Sequence, residues 1–438
     1  MCRMVNRLIE KRWFAVVVSV IAVILAATLI NRGGDETDIA VRGPQIPIPL
    51  ASPNVRFRRQ TIGASHPSIR ITNIQILDYD DDGINDLIVC DAARNSVLWY
   101  RQAPLGTWTE EVLADELKAP AHATVVDIDQ DGDQDIIVSV LGDLFPSDKL
   151  IGSVVLLERQ SDGSFSRHIL LDDVRRVADV QSGDLDGDGD PDLVVAVFGY
   201  ARGELLWLEN RGPRQFRDHH LLFRPGIIHA PVGDLDGDGD LDIAVIVSQE
   251  EEELWVFDNQ GAGTFRRQRI YFTNNVDVGS AGLVMSDLDA DGDLDLLLPQ
   301  GDNLEDVYAW PQPYHGCLWI QNQGDWRFEV QRIARFGGAY AVAVGDIDGD
   351  GDNDVTLVSM ANDWGNRKQP SVVWLENTDQ QFKIWGVDTD PIRLATVACG
   401  DLNGDGRDDI VSGSLHFPPL GDARLQRITV WISEEVER

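Results

Sequence analysis

Thiols are scarce in this 438-residue chain: four cysteines occur, Cys2, Cys90, Cys317 and Cys399, with no CxxC pair and no short spacing among them. Neither a disulfide framework nor a thiolate zinc site can be built from such a set. Basic residues are also few, 37 Lys and Arg against 73 Asp and Glu, for a net charge of −36. A surface that negative repels phosphate backbones, which excludes nucleic acid as a partner. No GxSxG elbow, HExxH helix or phosphate-binding glycine loop occurs, so no familiar motif points to an α/β-hydrolase, a zincin protease or a P-loop or Rossmann nucleotide site. What remains, with 43% hydrophobic and 25% charged residues, is the composition of a folded globular protein.

Long apolar runs are limited to one. Residues 13–30 carry no charge, and as a helix they would extend roughly 27 Å, close to the hydrocarbon thickness of a bilayer. Arg3, Arg7, Lys11 and Arg12 precede the run, and Asp35, Glu36 and Asp38 follow it. The positive-inside bias therefore keeps residues 1–12 in the cytoplasm and places everything beyond the span outside. The expected organisation is a cytoplasmic N-terminus over 1–12, a transmembrane signal-anchor helix over 13–30, a proline-bearing linker over 31–52 and one domain over 53–438. The alternative is a cleaved signal peptide and a secreted protein; the run is longer than a usual signal h-region, and Ala26-Ala27-Thr28 is a poor cleavage site.

The domain repeats one nine-residue string. It reads DYDDDGIND from Asp78, DIDQDGDQD from Asp127, DLDGDGDPD from Asp184, DLDGDGDLD from Asp234, DLDADGDLD from Asp287, DIDGDGDND from Asp346 and DLNGDGRDD from Asp401. The separations of 49, 57, 50, 53, 59 and 55 residues suit one four-stranded propeller blade per repeat. Apolar or β-branched runs flank each string, as in Ala341-Val342-Ala343-Val344 before one and Leu193-Val194-Val195-Ala196-Val197 after another, so the string joins two strands. A third strand follows with a tryptophan in six repeats, at Trp99, Trp207, Trp255, Trp319, Trp374 and Trp431, and then a fourth, as over 165–171, 216–222, 265–272 and 328–333. The last repeat ends after its third strand, whereas Phe57-Arg58-Arg59-Gln60-Thr61-Ile62 resembles the fourth strand Phe265-Arg266-Arg267-Gln268-Arg269-Ile270. An all-β, seven-bladed propeller of four-stranded blades, closed by the N-terminal strand, is the expected fold; closure of this kind removes the open edge of the ring.

Positions 1, 3, 5 and 9 of each string carry oxygen donors: Asp78, Asp80, Asp82 and Asp86; Asp127, Asp129, Asp131 and Asp135; Asp184, Asp186, Asp188 and Asp192; Asp234, Asp236, Asp238 and Asp242; Asp287, Asp289, Asp291 and Asp295; Asp346, Asp348, Asp350 and Asp354; Asp401, Asn403, Asp405 and Asp409. Alternate carboxylates about a glycine turn converge on a hard cation, so up to seven Ca²⁺ ions are expected. An EF-hand is excluded, because its bidentate Glu at position 12 is replaced by Val, Leu or Ser and strands flank the loop.

These repeats resemble the FG-GAP/VCBS repeats of integrin α-subunit propellers and of many bacterial extracellular proteins, over about residues 53–438. Phe336-Gly337-Gly338-Ala339 echoes the FG element, the Gly-Ala-Pro element is absent, and the Trp-Leu-Glu-Asn third strand suggests the bacterial branch. The resemblance implies the seven-bladed fold and calcium at the seven strings; it implies no catalytic residue.

The face opposite the aspartate loops is built from the connections between second and third strands. Those of repeats two, five, six and seven carry Phe145, Tyr308, Trp310, Tyr314, His315, Trp364, His416 and Phe417. Trp310, Tyr314, His315, Trp364, His416 and Phe417 are the candidates for binding a glycan or an extracellular protein; mutual packing that buries long loops is the other reading. The residues five places before each string should line the channel mouth on this face: Asn73, His122, Asp179, His229, Gly282, Ala341 and Thr396. His122, Asp179 and His229 on adjacent blades are candidate catalytic residues or ligands of Zn²⁺ or a transition metal, unless they merely face water in the channel. A related propeller in fungal sugar dehydratases gives this alternative its reaction type, a carbohydrate-active lyase or dehydratase.

Overall fold

A computed structural model describes residues 47–249, 251–302, 311–416 and 424–436. The expected membrane helix, Trp310 and Phe417 lie outside these residues. Among the described residues no helix is long and apolar enough to cross a membrane.

The described chain forms seven antiparallel sheets, one per repeat. Blade three shows the plan: Arg176–Gly183, Asp192–Phe198, Glu204–Asn210 and Phe216–Phe223 follow one another from first to fourth strand. Every second strand starts on the ninth residue of an aspartate string, at Asp86, Asp135, Asp192, Asp242, Asp295, Asp354 and Asp409. These second strands are buried almost throughout, as in Asp354–Ser359 and Asp409–Ser414. Covered by neighbouring blades on both faces, they read as continuous apolar runs, not as alternations. The fourth strands sit at the rim and alternate between covered and solvated positions, as Phe216–Phe223 does.

The core is distributed between the blades. One cluster joins Ile74, Val89 and Leu98 of blade one to Val411 and Val430 of blade seven; another joins Val194 and Trp207 of blade three to Val245 and Phe257 of blade four. Each sheet feeds its two faces into two such clusters, so no blade can bury its apolar residues alone. Blade four has a divided first strand, Ile227–His229 and Val232–Gly233, with Pro231 in the gap; a proline lacks the N–H that a continuous ladder needs.

The closing strand lies where expected. Val55–Ile62 pairs antiparallel with Ile428–Glu435, Phe57 opposite Ser433, and completes blade seven. The seam between blades seven and one is further tied by Arg427, whose guanidinium donates to Asp91 (2.8 Å), Glu110 (3.2 Å) and the carbonyl of Ala64 (2.8 Å). Arg427 and Asp91 side chains are only 3% and 1% exposed.

The tryptophan signature is less regular in space than in sequence. A residue at or within two places of the end of each third strand donates its N–H to the ninth-position aspartate, from Gln102, Arg159, Asn210, Asn259, Asn322, Asn377 and Ser433. Counted from these anchors, Trp99, Trp207, Trp319 and Trp374 stand three places earlier, but Trp255 stands four and Trp431 two. A one-residue offset turns a side chain to the opposite face of its strand. Trp255 Nε1 accordingly meets Glu253 (2.9 Å), and Trp431 Nε1 reaches Asp388 of blade six (3.0 Å).

Replacing Arg427 by Ala would strand Asp91 as a buried charge. The prediction is a loss of about 3 kcal/mol or more in unfolding free energy, read by urea denaturation; a change below about 1 kcal/mol would show that the seam does not depend on this pair.

Candidate functional site

Each aspartate string turns the chain between the first and second strands. The first carboxylate is the hub of its turn: Asp184 accepts N–H groups from Gly187 (2.8 Å) and Gly189 (3.0 Å), and Asp346 accepts them from Gly349 (2.8 Å) and Gly351 (3.0 Å). Position 6 holds φ between +84° and +98° in all seven loops, a region closed to side chains with a Cβ, which is why it is always glycine. Position 4 sits near φ +57° where it is Asp81, Gln130 or Ala290, within reach of ordinary residues at some strain.

Curled in this way, the loops gather carboxylates. In at least five of them three side chains offer oxygens all within 4.8 Å of one another: Asp78, Asp80 and Asp82; Asp127, Asp129 and Asp135; Asp184, Asp186 and Asp192; Asp234, Asp236 and Asp242; Asp287, Asp289 and Asp291. The fifth-position carboxylates of blades two, three and four stand outside these trios; Asp131, Asp188 and Asp238 accept from the N–H of position 7 at 3.0, 3.0 and 2.9 Å. Loop seven differs, as Asn403 Nδ2 donates to Asp405 (3.0 Å) and Arg407 turns away to Glu435 (3.1 Å). Such an all-oxygen donor set, converging at the mouth of a tight turn, fits a hard divalent cation.

The ninth position has a second role that the spacing alone does not disclose. Asp192 is fully buried; Oδ1 accepts from Asn210 N (2.7 Å), and Oδ2 from Leu185 N (3.1 Å) and Trp207 Nε1 (3.0 Å). It thereby pins the loop to the second and third strands. The asparagine at or next to the end of the third strand then reaches across to the preceding blade: Asn259 Nδ2 to Leu185 O (2.9 Å), Asn322 to Leu235 O (2.7 Å), Asn377 to Leu288 O (3.2 Å), with Gln102 to Leu402 O (3.1 Å) closing the ring. The recurring Asn of Trp-Leu-Glu-Asn was the available sequence signal for these clamps.

Burial pushes the ninth-position carboxyls up, reinforced by neighbouring loop carboxylates and opposed by the backbone N–H bonds. Asp135 and Asp192 rise to about 6, Asp242, Asp295 and Asp409 to about 7, and Asp354 to about 8.

On the opposite face, Tyr314, Trp364 and His416 are partly exposed on the connections of blades five, six and seven. The carbonyl of Trp364 accepts from Arg424 Nη2 (3.0 Å), which links the blade-six and blade-seven connections. His315 departs from the expectation. It is 1% exposed, and its Nδ1 accepts from Gly338 N (3.0 Å) and Gln312 N (3.3 Å), so it braces the loop from inside and offers no ring face to a ligand.

His122, Asp179 and His229 do come together, with the carboxylate between the two rings. His122 Nδ1 lies 3.3 Å from Asp179 Oδ1 and His229 Nδ1 3.4 Å from Oδ2; Gln181 Nε2 and Ala230 N also donate to Asp179, each at 3.0 Å. Burial opposes the charge on Asp179, but both imidazoles and these donors outweigh it and hold the carboxyl well below its usual range. Burial likewise opposes protonation of His229, yet its bond to Asp179 leaves it raised, while His122 is lowered by burial. His229 Nε2 lies 2.9 Å from Ala281 O, and a ring nitrogen donating there has no lone pair left for a metal.

The raised carboxyls set the pH response of metal-free protein. Unfolded aspartates titrate near about 3.9, so between about pH 4 and 7 the folded state binds more protons and stability must fall as pH rises. Protein stripped of divalent ions is expected to melt at a higher temperature at pH 5 than at pH 8. Saturating Ca²⁺, which favours the ionised form, should remove or invert the difference in calorimetry.

The FG-GAP-like repeat model matches residues 78–138, 184–245, 234–298 and 300–357, together more than half the chain. No curated protein matches it significantly. Among solved structures the fold is similar to that of BBS1N in complex with ARL6DN. The crystal soaked with lead gives a TM-score of 0.52 at 10% identity, over 87% of this chain and 97% of that one. The crystal soaked with mercury gives 0.51 at 10% identity, over 83% and 93%. With its matched repeats and its seven four-stranded sheets, the chain belongs to the FG-GAP-like repeat family of β-propellers.

Proposed function

We propose that the protein is a calcium-binding, extracytoplasmic ligand-binding module, held to the membrane through residues 13–30, whose loop-bearing face takes Ca²⁺ and whose opposite face binds a glycan or an extracellular protein. The observation that carries this reading is the recurrence of three carboxylates, their oxygens gathered within 4.8 Å on a glycine-turned loop, in blade after blade. A merely solvated acidic turn has no reason to keep that spacing. The first- and third-position aspartates would hold the ion, joined by the ninth in blades two, three and four and by the fifth in blades one and five. Partly exposed aromatics on the opposite face support a ligand surface there, and the solved relative with ARL6DN bound favours a protein as that ligand. The uncharged span behind Arg3, Arg7, Lys11 and Arg12 supports the anchor; its cleavage would give a secreted form.

The convergence of His122, Asp179 and His229 favours a second reading, a carbohydrate-active lyase or dehydratase working at the channel mouth. In that case His122, lowered by burial and oriented by Asp179, would serve as the general base. Turnover of a uronate or polyol substrate, lost in His122→Ala, would establish it; binding without turnover would exclude it.

Calcium should stabilise the full chain by mass action, about 2.7 kcal/mol per filled site at a hundredfold excess over Kd. A melting temperature unmoved between EGTA and millimolar Ca²⁺ would refute the metal reading. On the other face, Trp364→Ala should weaken the ligand found on a glycan array or by protein interaction screening about tenfold or more, with the calcium-dependent melting shift unchanged.

A further inference from the structure

The seven loops are not equivalent, and the difference lies on the third strand. In blades one to six the residue just before the anchor that binds the ninth-position aspartate faces the third loop position. In blades two, three, four and six it is an acid: Glu158 acts on Asp129, Glu209 on Asp186, Asp258 on Asp236 and Glu376 on Asp348. Blade five has Gln321, whose Nε2 donates to Asp289 (2.5 Å). Blade one has Arg101. Its Nη2 lies 2.5 Å from Asp80 Oδ2 and 3.8 Å from Asp82 Oδ2, among the same three carboxylates, Asp78, Asp80 and Asp82, that gather within 4.8 Å. The Asp80 side chain is 12% exposed, and neither of its oxygens accepts a hydrogen bond of good geometry, though both are buried; the guanidinium is their counter-charge. It is held there against the face of Trp99, 5.6 Å from the ring centroid, and Trp99 is in turn fixed by Asp86 (2.9 Å).

We infer that Arg101 is a built-in cation that takes the place of Ca²⁺ in blade one, so that this loop stays ordered without metal while its neighbours depend on it. The inference rests on the calcium reading of the other loops. A fixed guanidinium and a divalent ion cannot share three carboxylates, because the ion would enter against a like charge within a few ångströms. Blade one borders the closing seam, and a metal-independent loop there keeps the ring shut when calcium is low.

Equilibrium dialysis of the full chain with radioactive Ca²⁺ counts the ions bound per molecule. Asp80→Asn should leave the wild-type count unchanged, whereas Asp186→Asn should lower it by one. Arg101→Glu, which installs the acid of blades two, three and six, should raise the count by one, and Asp80→Asn added to it should remove that extra ion. If Asp80→Asn alone lowers the wild-type count, blade one is a metal site and the inference is overturned. An Arg101→Glu chain that remains folded by circular dichroism and gains no ion overturns it equally. A wild type that binds no calcium at all sinks the calcium reading and this inference together, a result distinct from the other two.

Discussion

The structure depends on keeping clustered carboxylates in place against their mutual repulsion. At each blade a ninth-position aspartate is driven into the protein, and it remains there because a backbone N–H of the third strand, in blades two to seven one of the loop, and in blades one and three an indole N–H, converge on its oxygens. Desolvation alone would neutralise such a group. The price of the arrangement is a strained charge state at every blade, visible in the raised carboxyls. A divalent ion at the loop mouth would relieve it, and the guanidinium of Arg101 meets the same demand in blade one.

From that constraint the ring follows. The loop fixed by its ninth residue presents the carbonyl at its second position to the asparagine of the next blade, so order in one loop is transmitted to the neighbouring sheet. Apolar clusters shared between successive blades supply the bulk of the cohesion, and the polar clamps tie each third strand to the loop of the preceding blade. At the seam, where first and last strands come from opposite ends of the chain, Gln102 and Arg427 add buried bonds. Closure there carries the loop-closure entropy of nearly the whole domain.

Much of this was legible beforehand. The aspartate strings placed seven turns, the runs around them placed the strands, and the likeness of 57–62 to 265–270 foretold the closing strand now seen opposite Ile428–Glu435. Less legible was the face on which a residue falls. Trp255 and Trp431 look like members of the tryptophan series and stand one residue out of it; nothing local distinguishes them, because the register is set by hydrogen bonds to Asp242 and Asp409. His315 reads as a surface aromatic of a long connection and is instead buried under it.

The chain by itself determined the number of blades, the order of their strands and the composition of each acidic turn, because all of these are encoded in spacings shorter than one repeat. Tertiary structure decided the partners: that His122 and His229 enclose one carboxylate, that Arg101 enters the first loop while acids occupy the matching place in four others, and that asparagines bind the blade before their own. These partners lie one strand, one blade or the entire ring apart. Folding of each sheet, packing of its neighbours and, at the seam, closure bring them within the few ångströms over which hydrogen bonds and desolvated charges act.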